Sequence, residues 1–228
     1  MNLNLKLLLL CGLIVLASQT FAQEKSPSEK YENEIKAMEA SDLKSPPPQN
    51  GVLFAGASGI RLWKTLKEDF PDHKVFNRGF GGSQIADSIY FADRIIFPHK
   101  PQLIVLQAGG NDINAGKSPE QVFEDFKTFV AKVRTQLPDV KIVYFSIQPS
   151  PARWSQFDKQ KQANALIAKH IEGEKNITYL NAFDAFLTSD GKPREELFVA
   201  DKLHHNEAGY KLRTSLMRPL LDKLVPQK

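Results

Sequence analysis

Leu103-Ile104-Val105-Leu106, running into Gln107-Ala108-Gly109-Gly110-Asn111-Asp112, is the stretch on which the fold turns. Four consecutive apolar residues without polar alternation read as a strand buried on both faces, as a parallel sheet covered by helices requires. Working outward, similar runs occur at Val52-Leu53-Phe54-Ala55, which ends in Gly56, and more briefly at Lys74-Val75-Phe76-Asn77. Downstream, residues 141–146 and 177–180 read as further strands. Between them lie helical patterns at residues 61–69, 84–97, 119–136 and 154–172, with a last one at about 206–224 after a long loop. Ser118-Pro119-Glu120-Gln121 supplies an N-cap, a proline at the first helical position and a capping-box partner. Alternating strands and helices predict an α/β fold with a parallel sheet. In such sheets ligands bind beyond the carboxyl ends of the strands, so the loops there are where chemistry is to be sought.

The 228 residues suit one domain with a tail, long enough to bury a core without disulfide or metal staples. The net charge of +4 comes from Lys and Arg scattered along the chain. No basic stripe is present, which argues against a nucleic-acid partner. Lys6, the apolar run of residues 7–17 and the small residues around Thr20-Phe21-Ala22 predict a signal peptide over residues 1–22, and hence an exported protein, periplasmic or extracellular. An uncleaved anchor is disfavoured because the apolar run is short for a bilayer, so no stable membrane insertion is expected after cleavage. Leu10 stands before Cys11 where a lipidation site wants a small residue. Cys11 is the only cysteine, and its removal excludes thiol chemistry and cysteine-based zinc sites. Residues 23–50 are polar and hold Ser45-Pro46-Pro47-Pro48, so they read as a linker with a short helix at 30–40 inside it, and the folded domain is expected over 51–228.

Four segments concentrate polar or flexible residues. In Gly56-Ala57-Ser58-Gly59-Ile60-Arg61 the glycines permit a tight turn that presents the Ser58 hydroxyl at a helix start, close to backbone N–H groups. On this segment alone a helix cap is the simpler reading, and Ile60 breaks the Gly-x-Ser-x-Gly elbow. Asn77-Arg78-Gly79-Phe80-Gly81-Gly82-Ser83 lets backbone approach a ligand, but Gln84 breaks a dinucleotide fingerprint, and a flexible turn is the plain alternative. Asn111 follows the two-faced strand, and its amide suits either a turn or donation to an oxyanion. In Asp201-Lys202-Leu203-His204 the carboxylate can fold back on the imidazole, although a lone pair of this spacing is more often a cap. The adjoining His205 lacks the spacing of a metal site, so neither metal nor cofactor is expected. Together the segments supply a nucleophile, backbone donors, a side-chain donor, and a base with its orienter, the set needed for acyl transfer.

In these four blocks the chain resembles the SGNH hydrolases, also called GDSL-type esterases and lipases. Phe54-Ala55-Gly56-Ala57-Ser58-Gly59-Ile60-Arg61-Leu62-Trp63, the Asn77–Gly82 glycine loop, Gly109-Gly110-Asn111-Asp112 and Asp201-Lys202-Leu203-His204 occur in the family's order. The resemblance implies a flavodoxin-like three-layer α/β/α sandwich with five parallel strands in the order 2-1-3-4-5. It also implies a triad of Ser58, Asp201 and His204, and an oxyanion hole from Ser58, Gly82 and Asn111. Ala57 stands where the four-letter motif has Asp and Gly59 where it has Leu, which weakens the label "lipase" but not hydrolysis, since that Asp is no triad member.

These readings predict a secreted serine-dependent carboxylic ester hydrolase acting on short acyl esters, acetyl above all, through an acyl-enzyme. The substrate is a small acyl ester or an acylated carbohydrate, because the blocks leave little chain for a lid. Arg61, Trp63, Arg153 and Trp154 are candidate substrate contacts, with packing around the first strand and the loop after the fourth as the alternative. An acyltransferase with the same triad, or a carbohydrate-binding domain that kept the fold, are the competing functions. The oligomeric state is not legible.

Overall fold

The structure, a computed structural model, describes residues 26–226, so the expected signal peptide lies outside the described residues. In chain order the elements are α1 (Glu32–Lys44), β1 (Val52–Gly56), α2 (Ser58–Arg61), α3 (Leu66–Asp69), β2 (Val75–Gly79), α4 (Ile85–Tyr90), α5 (Ala92–Ile95), β3 (Leu103–Gln107), α6 (Gly110–Asn114), α7 (Pro119–Gln136), β4 (Lys141–Phe145), α8 (Phe157–Ile171), β5 (Ile177–Leu180) and α9 (Glu207–Leu224). The five strands pair in parallel in the order β2-β1-β3-β4-β5. This is the three-layer α/β/α arrangement expected.

Successive side chains of a strand point to opposite faces. Ile104 and Leu106 of β3 therefore join Leu53, Ile142 and Tyr144 under the layer of α4, α7 and α8, where Phe126, Phe129 and Ile167 meet them. Leu103 and Val105 join Phe54, Val143 and Phe145 on the other face, against Met217 and Leu221 of α9 and against Trp63 and Phe70. All four residues of the β3 run are fully buried, and each stabilises the fold by about 1.5–3 kcal/mol.

Three expected helices are broken where a large side chain must turn inward or a proline intervenes. Residues 61–69 split into α2 and α3 because Trp63 leaves the helix to pack between Phe54 and Phe70, its Nε1 donating to Asp69 at 2.6 Å. Residues 84–97 split at the buried Phe91. Residues 154–172 begin as a 3-10 turn, Pro151–Gln156, before α8.

The tail reading is corrected more substantially. The helix expected over 30–40 extends as α1 to Lys44 and lies on the body. Tyr31 and Ile35 are buried in the core beside Phe80 and Phe91. Both carboxylate oxygens of Asp42 accept from Arg78, at 2.6 and 2.7 Å, and Glu32 and Glu39 pair with Arg94 at 2.7 Å. Packing begins well before the boundary expected near residue 51.

Candidate active site

The strand order reverses between β1 and β3, and the loops after these two strands carry Ser58 and Asn111. A crevice at such a switch point is where this architecture binds ligands. The turn at Ser58 depends on Gly56: its φ is +138°, and a Cβ there would stand 2.0 Å from the Gln107 carbonyl oxygen. Glycine alone lets the two strand ends come this close before the chain enters α2, with Ser58 as its first residue.

Ser58, His204 and Asp201 form one hydrogen-bonded row. Ser58 Oγ lies 3.0 Å from His204 Nε2, and His204 Nδ1 lies 2.6 Å from Asp201 Oδ2. The local sequence explains the second contact. Lys202 adopts a left-handed φ of 56°, folding the loop so that Asp201 Oδ1 accepts from the backbone N–H groups of Leu203 and His204, both at 2.9 Å. The His204 backbone bond first, then the imidazole contact and the Leu203 backbone bond, hold the Asp201 pKa down at about 2. An ionised carboxylate only accepts, so His204 Nδ1 carries a proton toward Asp201 while Nε2 faces the Ser58 hydroxyl.

Asn111 stands at the start of α6, and its Nδ2 donates to the Ser83 carbonyl at 3.0 Å. Ser83 follows Gly82, whose φ is +74°, so the segments holding the two expected oxyanion donors adjoin. Asp112, next to Asn111, is fully buried. It accepts from Ile85 N–H at 3.3 Å and pairs with Lys117 at 2.9 Å. Burial pushes its carboxyl pKa up.

A cleft of about 70 Å³ opens beside Ser58, lined by Asn111, His204, Arg153, Ile147 and the carboxamides of Gln107, Gln148 and Gln160. The Oε1 atoms of these three glutamines have no hydrogen-bond partner among the described residues. The sequence reading missed them, although Gln107 ends β3 and Gln148 follows β4, where the carboxyl-end rule directs attention.

The four proposed substrate contacts separate. Arg153 lines the cleft and donates from Nη2 to Asn111 Oδ1 at 2.8 Å. Trp154 is 39% exposed, lies on Phe157, and lines a neighbouring groove with Thr188, Asp190, Lys192 and Glu195. Trp63 is a core residue with no place in the cleft. Arg61 turns away to Glu34, 3.9 Å distant, and lies over Gly81. Both depart from the expectation because α2 is a single turn, and proximity to Ser58 in sequence does not set the direction in which a side chain leaves it.

His205 packs among Phe186, Phe198 and Tyr210. Its Nδ1 lies 3.3 Å from Arg213 Nη1, and since arginine only donates, the neutral ring carries its proton on Nε2. Burial first, then the Arg213 charge, pushes its pKa well down. Arg213 is fully buried against Trp63, Phe145 and Tyr210, and donates to the carbonyl of Gly59, the residue after Ser58.

Comparison with known proteins identifies the family and the fold. Human platelet-activating factor acetylhydrolase IB subunit alpha1 is 26% identical over 197 residues, covering 82% of this chain and 81% of the relative. The structure of a GDSL-like lipase from Bacteroides thetaiotaomicron superposes with a TM-score of 0.69 at 18% identity, covering 87% of this chain and 98% of that one. A carbohydrate esterase family 3 structure from Talaromyces cellulolyticus gives 0.61 at 17% identity, covering 76% and 96%. Residues 50–212 match the GDSL-like lipase/acylhydrolase family, and the chain belongs to it.

Proposed function

We propose that this ester hydrolase is an exported serine esterase that removes short acyl groups, acetyl foremost, from an acylated carbohydrate. The observation that carries the reading is the Ser58–His204–Asp201 row, with its two contacts of 3.0 and 2.6 Å. Ser58 Oγ attacks the ester carbonyl while its proton passes to His204 Nε2, and Asp201 stabilises the resulting imidazolium. The Ser58 and Gly82 N–H groups and the Asn111 amide receive the oxyanion. The C–O bond to the alcohol breaks, and His204 returns its proton to the departing oxygen. Water then loses a proton to His204 as its oxygen attacks the acyl-enzyme, and Ser58 leaves reprotonated, releasing the acid.

The cleft supports the short-acyl reading. The cleft at Ser58 is small, about 70 Å³, and suits an acetyl ester. The acetylhydrolase among the relatives agrees with this chain length. A sugar ring as the alcohol is supported by the exposed face of Trp154 set among Asp190, Glu195 and Thr188, since an aromatic plate with a few polar groups suits a ring that is apolar on one face and hydroxylated at its edge. Export rests on the N-terminal charge, apolar run and cleavage-site residues.

The test compares wild type with Ser58→Ala on p-nitrophenyl acetate, butyrate and octanoate, and measures acetate release from an acetylated oligosaccharide. Activity should vanish to background in the variant and fall steeply with chain length in the wild type. Equal rates for the two proteins would remove the serine mechanism, and a preference for octanoate would remove the short-acyl assignment.

A further inference from the structure

The Asn111 side chain is pinned at both ends by groups that admit one orientation only. The Ser83 carbonyl can only accept, so it takes an N–H of the amide at 3.0 Å. The Arg153 guanidinium can only donate, so it takes Oδ1 at 2.8 Å. One N–H of the amide is thereby used, and the other is left for the cleft. Without Arg153 the amide oxygen would have no donor, and the Ser83 carbonyl alone would hold the direction of the amide.

Arg153 itself is placed for this. It is half-buried, and no carboxylate pairs with it among the described residues. Burial pushes its pKa below the usual arginine value. It sits at non-helical angles (φ −119°, ψ 25°) inside the turn Pro151–Gln156. That turn is tied on both sides of the site. Ala152 N–H donates to the carbonyl of Lys202, within the loop between Asp201 and His204, at 3.0 Å. Gln156 Nε2 reaches Asn114 Oδ1, one turn beyond Asn111 on α6, at 2.9 Å.

We propose that Arg153 is a positioning residue of the oxyanion hole, fixing the direction of the Asn111 amide and polarising it through a charge-assisted bond to Oδ1. This rests on the serine esterase reading and deepens it. A cation on the amide oxygen withdraws electron density from the N–H groups, so the free one becomes a stronger donor as the carbonyl oxygen gains charge. The effect grows with the negative charge on the substrate oxygen, so it acts on the transition state more than on the bound ester.

The experiment is a double-mutant cycle on p-nitrophenyl acetate with Arg153→Met, Arg153→Lys, Asn111→Ala and the Asn111→Ala/Arg153→Met pair, each checked for its thermal midpoint. Arg153→Met should lower kcat by about 10- to 100-fold with KM changed less than about threefold, the pattern of an interaction made in the transition state. In the Asn111→Ala background the same substitution should lower kcat by less than about threefold, since residues that act through one another are not additive. Arg153→Lys, which keeps charge and a donor, should recover part of the loss and covers the case in which the methionine variant unfolds. An equal loss in both backgrounds, or a loss confined to KM, would overturn the inference in favour of direct substrate contact. A harmless Asn111→Ala would overturn it together with the donor assignment, whereas activity persisting in Ser58→Ala would strike the esterase reading itself.

Discussion

Replacing Asp201 by Asn separates the two tasks of this carboxylate. Oδ1 accepts two backbone N–H bonds at 2.9 Å that shape the loop, and Oδ2 accepts the imidazole proton at 2.6 Å. In Asp201→Asn the amide oxygen can keep both backbone bonds, while the amide nitrogen facing His204 Nδ1 can only donate. The ring must then carry its proton on Nε2, where it confronts the Ser58 hydroxyl and cannot receive a proton. The same change in serine hydrolases with this row costs about 10⁴ in kcat. Here the Asp201 side chain is 48% exposed, so water can replace part of its field, and the expected loss is about 10³–10⁴, or about 4–5 kcal/mol of barrier. The fold should hardly notice: a change of about 0.5 kcal/mol moves the midpoint of a domain this size by about 1–2 °C. Asp201→Ala removes the backbone acceptor too, and by analogy with a lost helix cap should cost about 1–2 kcal/mol of stability. The Asp201 pKa is depressed from 3.8 to about 2, so its contribution to stability is present above 3.8 and lost as the pH falls toward 2. The carboxylate is therefore ionised throughout an assay run from about pH 5 to 9. The assay is kcat on p-nitrophenyl acetate over that range with parallel thermal melts. A loss below tenfold at every pH, or a midpoint for the Asn variant as low as that of the Ala variant, would refute the reasoning.

Gly56→Ala should destabilise the protein by at least about 3 kcal/mol in urea unfolding, because strain at positive φ of about 1–3 kcal/mol is joined by a Cβ 2.0 Å from the Gln107 oxygen. Gly116→Ala, at φ +96° but with open space around it, should show the strain alone. His205 stays neutral in the fold, so below pH 6.5 the unfolded chain binds a proton that the native protein refuses; stability should fall as the pH drops below 6.5, and His205→Gln should flatten that slope in urea midpoints measured from pH 5 to 7.5. Deleting residues 1–45 should cost about 3–6 kcal/mol for the lost burial of Tyr31 and Ile35, where removal of a true linker would leave the denaturant midpoint unchanged.

The parts of this protein that were legible in its sequence are those whose cause is local. The β3 run announces a sheet covered on both faces because no polar residue interrupts it, and Ser118-Pro119-Glu120-Gln121 announces α7 because a cap is built from neighbouring residues. The Asp201–His204 contact spans three residues and was equally visible. By contrast, 42 residues separate Arg153 from Asn111, and nothing in either neighbourhood specifies the other. Trp63 lies within five residues of Ser58, yet packing against Phe54 and Phe70 takes it to the core, a choice made by the volume available and not by sequence distance. The tail was misjudged for a related reason. Only Tyr31 and Ile35 of residues 27–44 are buried apolar side chains, too few to show a periodicity, and much of the remaining attachment is polar, including charge pairing with Arg78 and Arg94 far along the chain.

That attachment bears on the site. The family match begins at residue 50, yet residues before it reach the glycine loop that carries Gly82. Glu34 accepts from Gly81 N–H at 3.2 Å and Tyr31 packs edge-on to Phe80 at 5.1 Å. A Cβ on Gly82 would stand 3.6 Å from the Tyr31 hydroxyl. Ser28 donates to Asp87 at 2.6 Å, the residue whose carboxylate also accepts from Gln84 N–H at the start of α4, immediately after the loop. A glycine-rich loop has the greatest backbone freedom to lose, and a donor that must meet an oxyanion within a few tenths of an ångström needs that freedom removed. In this chain the restraint comes from outside the glycine loop, through a helix that is polar enough to read as a tether. Deleting residues 1–45 should therefore lower kcat on p-nitrophenyl acetate even at temperatures where the truncated protein remains folded, and a truncated enzyme that is less stable but fully active would show that the loop holds its shape unaided.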